Sequence, residues 1–486
     1  MNILGRVGER RVAIWNKARL LFENRAVAFS TGVAEPVKVC IVGSGPAGFY
    51  SADKIAKRLP DGCHIDILEA LPCPYGLVRS GVAPDHPDTK NVMHHFQDMM
   101  EKKRVEYFGN VRVGKDVSLD ELRGLYHAVV LAYGAGGGKR LSVEGSGLKN
   151  IMSARDFVNW YNGHPSDAPV HVDMAGVKDV LICGLGNVAL DCARVLLKNP
   201  EDMVGTDIST KPYDAIRQSP IERVRILARR GPAQAACTPK ELRELLQLPH
   251  VETFIHPEGC LELTESCKRE IASSRIHKRV VDVLTKSQQK DDDGMKQKKL
   301  HVQFLSSPVK YVGSHGTVKG VIAERTELAP GRDGGPQRAI GTGEMEEFPC
   351  QLVIESVGYV AEPLEGAPFD PKTNTVPNVL GKVVDADDLY VCGWLKRGPS
   401  GIIGTNLVDA EQTVDIMVRH IDIWGSSQKP GRQGLMELLE SRNHQPITYE
   451  AWKRIDEEEI SRGQAAGKLR EKLTSVEDMI SIANNQ

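Results

Sequence analysis

The chain has no Cys-x-x-Cys pair. Its 486 residues hold ten scattered cysteines, with Cys260 to Cys267 the nearest spacing and Cys183 to Cys192 similar. That excludes the dense cysteine signatures of iron–sulfur and metal sites, and the paired thiols through which disulfide reductases pass electrons. Cys40 and Cys183 stand inside apolar runs and read as core-filling thiols, and free cysteines suit a reducing compartment. There is no excess of one charge: 62 basic against 64 acidic residues argue against nucleic acid as an obligatory partner. No apolar run approaches the ~20 residues that span a bilayer, so no transmembrane segment is expected.

One stretch does lack acids. Within residues 1–35, the first thirty carry Arg6, Arg10, Arg11, Lys17, Arg19 and Arg25 against only Glu9 and Glu23. Ile14, Ala18 and Leu21 fall on one helical face between them. The long apolar run of a secretory signal is missing, and the pattern reads as a mitochondrial transit peptide, with a plastid address or a family-specific arm as alternatives. The remainder is ordinary globular sequence, 41% hydrophobic and 26% charged, long enough for about two to four domains.

What the chain does have is a glycine turn met twice. "KVCIVGSGPAGFY" (38–50) and "DVLICGLGNVALD" (179–191) each place an apolar strand before a Gly-x-Gly turn and a helix after it. In Gly43-Ser44-Gly45-Pro46-Ala47-Gly48 the first glycine allows the tight turn, the second lets backbone approach a diphosphate, and the third permits close helix–strand packing. The helix N-terminus then turns unpaired amides toward the phosphates. The next strand ends at Glu69, whose carboxylate suits a ribose diol. In the second motif, Gly184-Leu185-Gly186-Asn187-Val188-Ala189, alanine takes the third slot. The strand that follows ends in Arg229 and Arg230, which suit a 2'-phosphate through charge-assisted bonds and which a solvated surface would also tolerate. The 45-residue gap from Gly184 to Arg229 exceeds the usual ~20 and is assigned to an inserted linker, "NPEDMVGTDISTKPYDAIRQSP".

Strand–helix alternation predicts an α/β fold of two Rossmann-like dinucleotide-binding domains, the NADP domain inserted into the FAD domain. The expected divisions are 36–137 (FAD, first part), 138–357 (NADP) and 358–486 (FAD, second part). The reading includes a helix over Pro239–Leu248, an antiparallel stretch from His301 to Ala323, a solvated polar loop over Lys286–Lys299, and a strand in "CQLVIESVGY" that returns the chain to the first unit. A flavin accepts the electron pair of a hydride donor and can release it as single electrons. With no paired thiols, the onward acceptor is either a small substrate or a protein. For a protein, Arg243, the run Arg275–Arg279, and Lys57 with Arg58 are candidate docking cations, or else plain solvated charge.

From Val37 to Leu473 the chain resembles the adrenodoxin (ferredoxin) reductase family of mitochondrial NADPH-dependent flavoproteins. The resemblance rests on "VGSGPAGFY", "GLVRSGVAPDHPDTKNV", "FGNVRVGKDVS", "SARDFVNWYNG", "GLGNVALDCARVLL", "RRGPAQAACTPKELREL", "IESVGY", "CGWLKRGPSGII" and "RGQAAGKLREKL". It implies FAD contacts at Ala47, Glu69, Leu77, Val113, Trp394 and Gly401–Ile403, including Ile402. It implies NADP contacts at Leu185, Gly186, Asn187, Val188, Arg229, Arg230, Glu241 and Gly401. Where the family has glutamine, this chain has Leu185, which leaves only backbone contact there. The implied partner is an acidic [2Fe-2S] ferredoxin docking on Arg243, Arg275 and Arg279, in the mitochondrial matrix, with a peripheral inner-membrane contact left open. His86 and Asp191 are candidate proton-relay partners, and a structural role is the alternative for a histidine in a Pro-rich loop. A glutamate-synthase-type NADPH-oxidising subunit shares both motifs but usually carries N-terminal cysteine clusters, absent here; a non-enzymatic FAD-bearing redox module is the other alternative.

Overall fold

Strand Val37–Val42 alternates its burial between two cores: Val39 and Ile41 pack on one side of the sheet, Cys40 and Val42 on the other. Asp179–Cys183 does the same, with Val180 and Ile182 on one side and Leu181 and Cys183 on the other. Strands buried on both faces read as continuous apolar runs and belong to parallel sheets covered by helices. This is a computed structural model. It describes residues 36–485 apart from 60–62, 102–104, 166–169, 289–296, 332–334 and 421–427. The leader expected over 1–35 lies outside the described residues.

Two sheets result. The first is eight-stranded, with Leu389–Val391, Ala128–Leu131, Val37–Val42, Cys63–Leu68 and Val105–Gly109 adjacent and parallel. Short antiparallel strands close both edges. The second is six-stranded and all parallel, in the order Ile151–Ser153, Leu352–Glu355, Asp179–Cys183, Arg223–Ala228, Lys298–Phe304, Val251–His256. Its strands all come from 151–355, while the first sheet takes strands from both sides of that span, so the second lobe is inserted into the first. A two-strand ribbon, Gly137–Gly138 against Tyr359–Val360, joins the segments where the chain leaves one lobe and re-enters it.

Four expectations change. Lys298–Phe304 is parallel, because the helix Arg275–Ser287 crosses over between it and Val251–His256; only Ser306–Ser314, Thr317–Ala329 and Arg338–Pro349 form the antiparallel meander. Leu352–Glu355 lies fully buried inside the second sheet, and the return to the first lobe comes later, at Tyr359. The stretch taken for a linker folds into a 3-10 turn, Pro200–Met203, and a helix, Thr210–Gln218, because Met203 and Ile216 reach the lobe's core. The helix at Pro239 ends at Leu246. Of the polar loop, residues 289–296 lie outside the described residues. Cys40 and Cys183 are core thiols, with burial pushing Cys183 up to about 12.

Candidate functional site

Both glycine turns are forced by close backbone approach. Gly43 (φ +109°) could not carry a Cβ without meeting Ala132 O at 2.6 Å, and a Cβ on Gly184 (φ +110°) would meet Ser356 O at 2.2 Å. Gly48 is tighter still, its Cβ position 1.9 Å from Gly43 O. In the second turn the matching residue, Ala189, is buried without such a clash. The middle glycines differ in kind: nothing lies within 4 Å of a Cβ on Gly45 or Gly186, so the space before them is open. Each is the N-cap of its helix, Pro46–Arg58 and Asn187–Leu197, and neither helix has a side-chain cap. The first-turn amides therefore face that space unpaired.

The two lobes share one cavity of about 1910 Å³. From the first lobe it is lined by Gly43, Gly45, Ala47, Glu69, Leu77, Val113, Trp394, Gly401, Ile402 and Ile403. From the second come Leu185, Gly186, Asn187, Val188, Arg229, Arg230 and Glu241, and His86 and Asp191 lie on it too. Gly48 stands behind the turn. Helix Thr405–Arg419 begins four residues after Gly401, and the lining continues through Asn406, so this helix also opens on the cavity.

Glu69 is fixed in place: its Oε2 accepts from Ser44 N (3.1 Å) and Ser44 Oγ (2.6 Å), and its Oε1 accepts from Leu71 N (3.1 Å). At the other end, Leu305 N donates to Arg230 O and Thr326 Oγ1 to Arg229 O, so the residue before the meander and the meander's second strand pin their backbone. Neither guanidinium has an ion-pair partner among the described residues. Asn187 Oδ1 accepts from Thr238 N at 2.7 Å, which holds the start of helix Pro239–Leu246 against the turn. Leu185 packs its side chain in the core and offers its carbonyl to Ala236 N.

His86 and Asp191 meet through a residue that sequence reading missed. Arg194, buried one turn beyond Asp191, donates to both oxygens of Asp85 (2.8 and 3.0 Å) and pairs with Asp191 at 2.8 Å. Its Nη2 approaches His86 Nδ1 at 3.4 Å. An arginine N–H cannot accept, so that contact puts the imidazole proton on Nε2, which donates to Glu244 Oε2 at 2.8 Å. His86, Asp191 and Glu241 bring ligating atoms within 4.8 Å of one another. Burial pushes Asp191 up to about 6, with Arg194 opposing and Glu241 reinforcing the rise. Burial would lower Arg194, but Asp85 and Asp191 reverse that and keep it charged. The i, i+3 spacing of Asp191 and Arg194 was the available signal. Also missed were Arg155, which lines the cavity and donates to Ala135 O at 3.2 Å, and His164, which burial and then Arg155 lower to about 4.

Arg243, Arg275 and Arg279 lie outside the cavity lining and are exposed, on the packed helices Pro239–Leu246 and Arg275–Ser287. None has an ion-pair partner among the described residues. Lys57 and Arg58 differ: they pair with Asp53 (2.7 Å) and Asp415 (2.6 Å), which leaves them as ordinary surface ion pairs.

Two unlike dinucleotide turns on one cavity define an oxidoreductase with paired nucleotide sites. Residues 37–256 match the family model for pyridine nucleotide-disulphide oxidoreductases. The chain is 44% identical over 477 residues to an Arabidopsis thaliana protein named NADPH:adrenodoxin oxidoreductase, mitochondrial, covering 94% of this chain and 97% of that one. The Homo sapiens protein of the same name is 40% identical, with 93% of each chain covered. The solved structure of Mycobacterium tuberculosis FprA in complex with NADPH is similar at a TM-score of 0.88 and 37% identity, over 93% of this chain and 100% of that chain. The chain belongs to the NADPH:adrenodoxin oxidoreductase family.

Proposed function

We propose that the chain is an NADPH:ferredoxin (adrenodoxin) oxidoreductase, carrying electrons from NADPH through FAD to an acidic [2Fe-2S] ferredoxin. The observation that carries this reading is the unlike chemistry on one cavity: the fixed carboxylate of Glu69 in one lobe and the unpaired guanidiniums of Arg229 and Arg230 in the other. Residues 36–137 and 358–486 are assigned as the FAD-binding domain and 138–357 as the NADP-binding domain. Both nucleotides suit the residues present, since open backbone at Gly45 and Gly186 and uncapped helix amides offer a diphosphate neutral, convergent donors. Glu69 would hold a ribose of FAD, with Gly43, Gly45, Ala47, Leu77, Val113, Trp394 and Gly401–Ile403 around it. Arg229 and Arg230 would hold the 2'-phosphate of NADPH, with Leu185–Val188, Glu241 and Gly401 completing that site.

Bound FAD supplies an acceptor for one hydride, a pair of electrons, and an outlet for those electrons singly. The chain's own part is alignment and proton handling. His86, Asp191 and Arg194 bridge the lobes, and Asp191, near 6, can give up or take a proton around neutral pH and share it with His86. Arg243, Arg275 and Arg279 form the face for the ferredoxin, where complementary charge speeds encounter. The reading locates the protein in the mitochondrial matrix, with 1–35 as transit peptide, in keeping with the relatives' names. The test is reduction of purified ferredoxin by the FAD-loaded protein. NADPH should outpace NADH by about a hundredfold, as two charge-assisted bonds of ~1.5 kcal/mol each imply. NADPH oxidation that never reaches ferredoxin would overturn the acceptor.

A further inference from the structure

Away from the large cavity, a second one of about 20 Å³ is lined by four cations, Arg79, Lys90, Arg470 and Lys472, and by only two carboxylates, Asp207 and Asp456. Its ion pairs draw on three parts of the chain: the first lobe, the second lobe and the C-terminal segment. Asp207, from the second lobe, accepts from Lys90 Nζ at 2.7 and 2.6 Å and pairs with Lys472 at 2.8 Å. Arg79 forms a two-bond contact with the fully buried Glu459 (2.9 and 2.6 Å). Arg470 reaches Asp456 at 2.6 Å and Glu459 at 3.2 Å. Against these four cations stand three carboxylates, which leaves one positive charge unmatched. It sits where burial is deep: the Lys472 side chain is 1% exposed and Asp207's 7%.

The donors are also in excess. An ammonium carries three N–H bonds. Lys90 meets only the two Asp207 oxygens, and Lys472 meets Asp207 Oδ2 and, at 3.4 Å, Asp207 O; neither ammonium makes another hydrogen bond among the described residues. A buried, unmatched charge with unused donors is costly unless something of opposite sign completes it. A cavity of this size holds one water-sized particle.

We propose that this cavity binds one chloride-sized monovalent anion, completing the charge balance at the seam between the two lobes and the C-terminal segment. Burial pulls the Lys472 ammonium down to about 7, Asp207 opposing and Lys90 and Arg79 adding to the drop. A bound anion would restore it as a cation at neutral pH. The second lobe is thus tied to the first through a small ion as well as through Asp207, and Lys468, which donates to Ile208 O at 2.5 Å, reinforces the same seam.

The test uses bromide and the FAD-loaded full chain. Crystals soaked in bromide should show one anomalous peak enclosed by Lys90, Arg470 and Lys472. In solution, the unfolding temperature should be higher in chloride than in gluconate, an anion too large to enter, by about 3 °C at equal ionic strength. Lys472→Met, which removes the unmatched charge, should shrink that gap below about 1 °C; Lys90→Met serves if Lys472→Met does not fold. A cavity holding only water after the soak, or equal unfolding temperatures in the two salts, overturns the proposal. So does a chloride effect that survives both variants. None of these readouts involves electron transfer, so they stand or fall apart from the proposed activity.

Discussion

At the first glycine turn Glu69 is already held by three hydrogen bonds, from Ser44 N, Ser44 Oγ and Leu71 N; at the second, the guanidiniums of Arg229 and Arg230 pair with no carboxylate among the described residues. Packing diverges in the same sense. The third slot of the first turn is Gly48, with no room for a methyl group, while the second accepts Ala189. A pre-set polar group in a tight turn costs little to organise on binding and suits a nucleotide that stays. Unpaired guanidiniums on a pinned backbone suit a charged nucleotide that arrives and leaves, since no internal ion pair must break first. The proposed reading puts a resident flavin at the first turn and an exchanging nicotinamide at the second, and the comparison can be broken in stages.

The largest effect is expected at Gly48→Ala. Its Cβ would sit 1.9 Å from Gly43 O, a backbone-to-backbone clash that no rotamer relieves. Flavin content of the purified protein, read as the ratio of visible to ultraviolet absorbance, should fall below about a tenth of normal, since overpacking of this kind costs ~1–3 kcal/mol or more. Ala189→Gly in the other lobe should cost only about 1 kcal/mol and leave flavin content alone. Equal losses at the two positions would mean that the turns are not built differently.

A smaller effect is expected at the exposed face. Arg243→Glu should slow ferredoxin reduction about tenfold at low salt, less as salt is raised, and leave NADPH-to-ferricyanide turnover unchanged. If both activities fall together, Arg243 belongs to the nucleotide site rather than the docking face.

The smallest is a pH effect. Because burial raises Asp191 to about 6, its share of stability is present below the unfolded carboxyl range and is lost as pH rises through 6. Asp191→Asn should therefore raise the unfolding temperature relative to the parent at pH 8, by a degree or two at most, with the difference closing near pH 4. It should also flatten any inflection near pH 6 in the rate of flavin reduction. A persisting inflection would mean that Asp191 does not carry it.

Both turns, their strands and helices, Glu69, and Arg229 with Arg230 were legible because each depends on local sequence: an apolar run, a glycine spacing, one residue type at a strand end. What was not legible depends on assembly. Nothing local says that Lys298–Phe304 lies parallel beside Val251–His256, or that Leu352–Glu355 completes the second sheet before the chain returns; both follow from crossovers between distant segments. The segment from 199 to 220 looked like a linker because its Pro and Ser content masks the core contacts of Met203 and Ile216, and the same misreading hid Asp207. Arg194 was overlooked because its partners Asp85 and His86 are over a hundred residues away.

The most direct measurement is anaerobic bleaching of the bound flavin by NADPH and by NADH, in the parent chain and in Arg229→Ala/Arg230→Ala. NADPH should bleach the parent at concentrations about a hundredfold lower than NADH, and the double variant should lose that preference while its NADH response stays put. A parent that binds no flavin, or a preference for NADPH that survives the loss of both arginines, would contradict the account.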